Sequence, residues 1–167
     1  LRLKRIFPLK QKSLFLKVAQ ALPQKKKMDE LVKGAEELGV QELWVMETKR
    51  NIVRMRPEAS ERAKHRWERI VVEAAKQSGS PVLMRVEGPV PLGKILKEEL
   101  KSENPSFLFH PDPRGLSFLE VMEGLRRSET REPQKPIFLF FGPEGGFSDE
   151  EVHLAESAGL RKVFLGA

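Results

Sequence analysis

The chain has 167 residues, 30 of them Lys or Arg and 24 Asp or Glu, with three His and no Cys. That composition excludes disulfides and thiolate metal centres, and His65, His110 and His153 are scattered without metal-ligand spacing. The length suits one domain with a fragment of another. With no apolar run of transmembrane length and no signal peptide, a soluble cytoplasmic protein with neither metal nor membrane partner is expected.

The net charge of +6 is unevenly spread. Residues 1–27 carry nine Lys/Arg and no acid, and residues 49–69 carry eight against Glu58, Glu61 and Glu68. The remainder is acidic on balance. Such segregation points to a polyanionic partner, and for a soluble protein to nucleic acid before membrane. A solvated basic face is the alternative.

In chain order, residues 1–6 read as a strand before Pro8, followed by a basic linker and a second strand over residues 14–22. A helix starts near Lys27, with Met28, Leu31, Val32, Ala35 and Leu38 on one face and Gly39 as its stop. Residues 43–46 form the next buried strand, and β-α-β with short joins predicts a parallel unit. Residues 48–54 leave that strand carrying Lys49, Arg50 and Arg54, at the end where α/β proteins place function. A long helix spans 58–78, its stripe made by Ala63, Trp67, Ile70, Val71 and Ala74, with Arg62, Arg66 and Arg69 mostly off it. Residues 82–86 read as a strand, 92–100 as a short helix, 107–111 as a buried strand ending in a turn, 116–125 as a helix and 128–136 as a polar loop.

Residues 137–141, Ile-Phe-Leu-Phe-Phe, are too few for a free-standing helix and rich in β-formers, so they predict a strand buried on both faces. Gly142-Pro143-Glu144-Gly145-Gly146 then brings bare backbone to the surface. Ser148-Asp149-Glu150-Glu151 is a capping box that starts a helix over 149–158. Gly159 and a strand over 163–166 follow. Strand, glycine turn and helix N-terminus is an arrangement that binds ligands in open α/β sheets. It matches neither the Walker loop nor the dinucleotide fingerprint, and a plain structural turn is the other reading.

The string Phe141-Gly142-Pro143-Glu144-Gly145-Gly146-Phe147-Ser148, followed by acidic residues, resembles the signature loop of the RsmE family of 16S ribosomal RNA methyltransferases. Lys27-Met28-Asp29, Glu36-Glu37-Leu38-Gly39-Val40, Arg50, and residues 67–70 and 73–78 resemble the same family, so the likeness covers roughly 14–166. The chain has only Ser80 between Gly79 and Pro81, where the family carries more. Leu165-Gly166-Ala167 resembles the opening of a second signature, which in the family continues further.

The resemblance implies an α/β fold of SPOUT type: a parallel sheet flanked by helices, with a C-terminal trefoil knot incomplete at Ala167. Residues 1–12 would be the tail of a PUA-like RNA-binding barrel with its linker, and residues 13–167 the methyltransferase domain lacking its C-terminal end. It implies S-adenosylmethionine as cofactor, held by Leu108, Phe109 and His110, by Phe141, Gly142, Pro143, Glu144, Gly145 and Gly146, and by Leu165 and Gly166. The acceptor would be N3 of a uridine in 16S ribosomal RNA or the small subunit. Lys49, Arg50, Arg54, Arg62 and Arg66 would contact the RNA, and a homodimer is implied.

Arg50 and Glu144 are the catalytic candidates. Arg50 either stabilises a developing uracil anion or makes a plain phosphate contact. Glu144 either caps the following turn or orients cofactor or uridine. No histidine is placed as a general base. Two other readings stay open: a catalytically silent RNA-binding relative in ribosome assembly, and an enzyme methylating another RNA atom.

Overall fold

The computed structural model describes residues 14–23, 27–51, 55–100, 103–127 and 135–166. The expected strand over 1–6, and Arg54, lie outside them. Among the described residues, seven strands form one parallel sheet in the order β3-β2-β1-β6-β4-β7-β5. They are β1 (Leu16–Ala21), β2 (Glu42–Glu47), β3 (Arg85–Pro91), β4 (Ser106–Phe109), β5 (Leu116–Ser117), β6 (Ile137–Phe141) and β7 (Arg161–Phe164). The helices are α1 (Lys27–Leu38), α2 (Pro57–Ser78), α3 (Leu92–Glu98), α4 (Phe118–Arg127) and α5 (Asp149–Ser157).

The period-2 alternation of strand side chains feeds two faces. Leu43 and Val45 pack with Met28, Val32, Ala63, Trp67 and Val71, beneath α1 and α2. Trp44 and Met46 point the other way, into a cluster with Ile95, Phe138, Phe140, Phe147, Val152 and Ala155, beneath α3 and α5. Ile137 packs instead with Phe107, Val121 and Val163 near α4. The apolar run over 137–141 is thus a central strand covered on both sides, as its composition predicts.

β1 and β6 are neighbours, with Ala19 opposite Phe140. The chain leaves β1 through α1 towards β2 on one side. It leaves β6 through α5 towards β7 on the other. A reversal of this kind opens a crevice at the carboxyl ends of the two strands. The glycine turn after β6 sits there.

Three expectations are corrected locally. On α1, Leu31 and Leu38 are exposed while Glu36 is buried. Glu36 turns inward because its Oε2 accepts the Met84 amide at 2.7 Å. The third strand begins at Arg85 rather than 82, since the Arg85 amide donates to the Gln41 carbonyl and starts the pairing with β2; Val82 and Leu83 are exposed. It then runs through Pro89 and Pro91, which an edge strand tolerates. Leu116 and Ser117 belong to the edge strand β5, paired with β7, and the helix starts at Phe118.

Candidate active site

The site is built at the carboxyl edge of β6, β4 and β7, which are adjacent in the sheet. Phe109 and Phe141 end neighbouring strands in register, and their rings stack at 4.3 Å with 6° between planes. Two hollows flank this floor. One, of about 390 Å³, lies between residues 109–111 and the loop 141–147. The other, of about 270 Å³, lies between the same 109–111 segment and residues 163–166. The three loops named from the sequence are therefore brought together, with His110 and Pro111 as the shared wall. Pro111, Val163 and Phe164 line the hollows as well. Leu108 lines neither; it is fully buried with Phe140 in the core below.

The glycine turn is closed by the Gly146 amide donating to the Pro143 carbonyl at 2.8 Å, and Gly146 has a φ of 68°. Gly142 is needed for close approach. A Cβ there would stand 3.1 Å from two ring carbons of Phe147, itself buried. Gln20, near the end of β1, donates through Nε2 to the Ala21 carbonyl at 2.9 Å and the Gly142 carbonyl at 3.4 Å, tying the turn to the crevice. Gly166 has a φ of 92° and open space where a side chain would stand.

His110 is a wall residue and a turn residue at once. Its Nδ1 accepts the Asp112 amide at 3.2 Å, which leaves Nε2 as the N–H of the neutral ring. Asp112 then accepts from the Arg114 amide at 3.0 Å and from the Arg114 guanidinium at 2.9 Å, and pairs with Lys162 of β7 at 3.3 Å. The Arg114 side chain, its backbone N–H and then Lys162 hold the Asp112 carboxyl well below the usual carboxylate range. This fixes the loop after β4 against β7.

Arg50 reaches the glycine turn from the other side, its Nη1 donating to the Gly145 carbonyl at 3.1 Å. The turn that carries it is closed by side-chain hydrogen bonds. Thr48 Oγ1 donates to Asn51 Oδ1 at 2.5 Å, Asn51 Nδ2 donates to the Met46 carbonyl at 3.3 Å, and Thr48 and Asn51 are both buried. Glu144 pairs with Lys27, at the start of α1, at 3.7 Å with both side chains substantially exposed. Lys49 pairs with Glu150. Arg62 is exposed on α2, and Arg66 meets Asp29 at 2.9 Å. Asp29 also accepts the Trp67 indole N–H at 3.2 Å. The basic segments are thus partly answered by acids within the fold. Among the described residues no group of three or more His, Asp or Glu is placed to hold a metal, and no helix is long and apolar enough to cross a membrane.

Gln20, Asn51 and Glu151 escaped the sequence reading as site residues. Glu151 was visible as half of a capping box, but its contact with the Lys49 amide at 2.7 Å spans 102 residues and leaves no local signal.

A family model described as an RNA methyltransferase domain matches residues 10–167. The chain belongs to that family. It is 31% identical to the ribosomal RNA small subunit methyltransferase E of Aquifex aeolicus over 84% of its own length and 55% of that protein's. It is 30% identical to the protein of the same name from Synechocystis over 89% of its length and 46% of the relative's. Among solved structures, it superposes with TM-score 0.79 and 28% identity on a Legionella pneumophila methyltransferase in complex with bound SAM, covering 93% of this chain and 59% of that one. The ribosomal RNA small subunit methyltransferase E of Neisseria gonorrhoeae, bound to S-adenosyl methionine, gives 0.76 and 28% over 92% and 59%. The chain spans about half the length of the curated relatives it matches.

Proposed function

We propose that this protein transfers the methyl group of S-adenosylmethionine to N3 of a uridine in 16S ribosomal RNA. The observation that carries the reading is the convergence of the loops after β4, β6 and β7 on one stacked Phe109–Phe141 floor, with Arg50 reaching in over Gly145. The names and bound cofactors of the relatives point the same way.

The residues present fit such a cofactor. Among the described residues, the hollow beside β7 is walled by aromatic, aliphatic and backbone groups with no lysine or arginine, which suits an adenosine carrying a cationic sulfonium. When bound, the cofactor supplies an activated methyl group. The chain's part is to orient and to stabilise. Backbone groups of Gly142, Gly145 and Gly146 and of residues 109–111 and 164–166 read the cofactor without charged side chains. Arg50 faces the charge that develops on uracil as its N3 proton is lost. Glu144, held by Lys27, shapes the turn and the crevice entrance. Lys49, Arg54, Arg62 and Arg66 contact the RNA backbone, where such contacts set register.

The proposal extends to the whole chain. In this reading residues 1–12 belong to the tail of a PUA-like RNA-binding domain and its linker, the fold is of SPOUT type with a C-terminal trefoil knot, and the protein acts in the cytoplasm as a homodimer. Phe138 and Phe140 are buried within the monomer. The exposed Leu154 of α5 offers apolar surface for a partner copy.

The test is nucleoside analysis of small-subunit RNA after incubation with the full-length protein and methyl-labelled S-adenosylmethionine. The expected product is labelled N3-methyluridine. Label on a ribose oxygen or on another base contradicts the assignment of the atom. No label, with cofactor and RNA both bound, favours a silent assembly protein.

A further inference from the structure

Glu151 makes one contact more than a capping box needs. Its side chain is buried, at 6% exposure. One carboxylate oxygen, Oε2, accepts the Ser148 amide at 2.9 Å and closes the box. The other, Oε1, accepts the Lys49 amide at 2.7 Å. Only a carboxylate can offer a full acceptor to each of two N–H donors; a glutamine would turn its NH2 towards one of them.

The Lys49 amide belongs to the turn closed by Thr48 and Asn51, and the next residue is Arg50. Arg50 bonds the Gly145 carbonyl, six positions before Glu151 in the chain. The turn after β2 and the glycine turn after β6 therefore share one buried carboxylate at their base and one guanidinium across their mouth. We propose that Glu151 is a positioning residue for methyl transfer. It locks the Arg50 turn to the glycine loop, so that Arg50 stands over the acceptor without searching for its place. Glu151 does not touch the substrate; it acts through Arg50. This role rests on the methyltransferase reading above.

Ser148 separates this role from plain capping. Its hydroxyl accepts the Glu151 amide at 3.3 Å, the other half of the box. Ser148→Ala removes that half and leaves the bond to Lys49 in place. The experiment is single-turnover methylation by the full-length protein at saturating small-subunit RNA and S-adenosylmethionine, with cofactor affinity by calorimetry and fold by circular dichroism.

Glu151→Ala is expected to slow turnover by about tenfold or more with cofactor affinity held within about twofold, a loss in the chemical step alone. Ser148→Ala should run near the wild-type rate. In the double variant, Glu151→Ala should cost no more than about threefold beyond Arg50→Ala, because Glu151 acts through Arg50. If Glu151→Ala does not fold, Glu151→Gln takes its place, keeping the shape and one acceptor, with the same readings. Turnover as fast as in Ser148→Ala, or slowdowns that multiply in the double variant, overturns the role of Glu151 alone. A wild-type protein that methylates no RNA overturns the methyltransferase reading and this role with it.

Discussion

An arginine carries five N–H donors, and the bond to Gly145 uses one of Arg50's. The exposed guanidinium keeps the rest for a ligand. If Arg50 stabilises charge on uracil, Arg50→Ala should lower the single-turnover rate at saturating RNA by about 10²–10³. If it contacts a phosphate only, binding weakens and saturated turnover stays near wild type. Gly142 poses a different question at the same scale. Its backbone is not left-handed, so alanine is allowed there, but the new Cβ presses on the Phe147 ring at 3.1 Å. Phe147 sits in the core beneath α5 and has little room to give. Gly142→Ala should therefore cost about 1–3 kcal/mol, the range for overpacking a filled core. Urea unfolding checks it; an unchanged midpoint would show that the ring moves freely.

At the scale of elements, the segment from β6 through α5 was legible because its signals are local. Five apolar residues, a glycine turn and a capping box follow one another, and the structure has strand, turn and cap at those places. The start of β3 and the inner face of α1 were not legible. Val82 and Leu83 look like strand but lie outside the pairing, which begins only where Arg85 meets Gln41. Glu36 looks like surface but is drawn in by an amide 48 residues away. Backbone donors do not appear in a hydropathy pattern. The same holds for Asp112, which joins the loop after β4 to Lys162 on β7.

Its carboxyl is held below the usual range, by Arg114 first. A depressed folded value means the contribution is fully present above the unfolded pKa of about 3.9 and is lost as pH falls through the folded value. Asp112→Asn keeps an acceptor for the Arg114 amide and drops the charge. Thermal midpoints of the variant should lie below wild type at pH 7 and converge with it as the solution is acidified below the ordinary carboxylate range. A gap that is the same at pH 7 and in strong acid would show that the charge contributes nothing.

For the whole molecule, the sheet order decides where chemistry can occur. β1 and β6 lie side by side and send their chains in opposite directions, so the crevice at their carboxyl ends is open to ligand. The parallel class and the buried central strand could be read from apolar runs and short joins. The order of strands could not, because it depends on crossovers with no signal in any single stretch. That order sets β4 between β6 and β7 and brings three loops, far apart in the chain, to one floor. Hydrogen exchange on the full-length protein, with and without S-adenosylmethionine, tests this placement most directly. Slowed exchange confined to amides of residues 109–112, 142–147 and 164–166 is the predicted result. Protection centred on the α1–α2 face, or none at a saturating concentration of the cofactor, would contradict it.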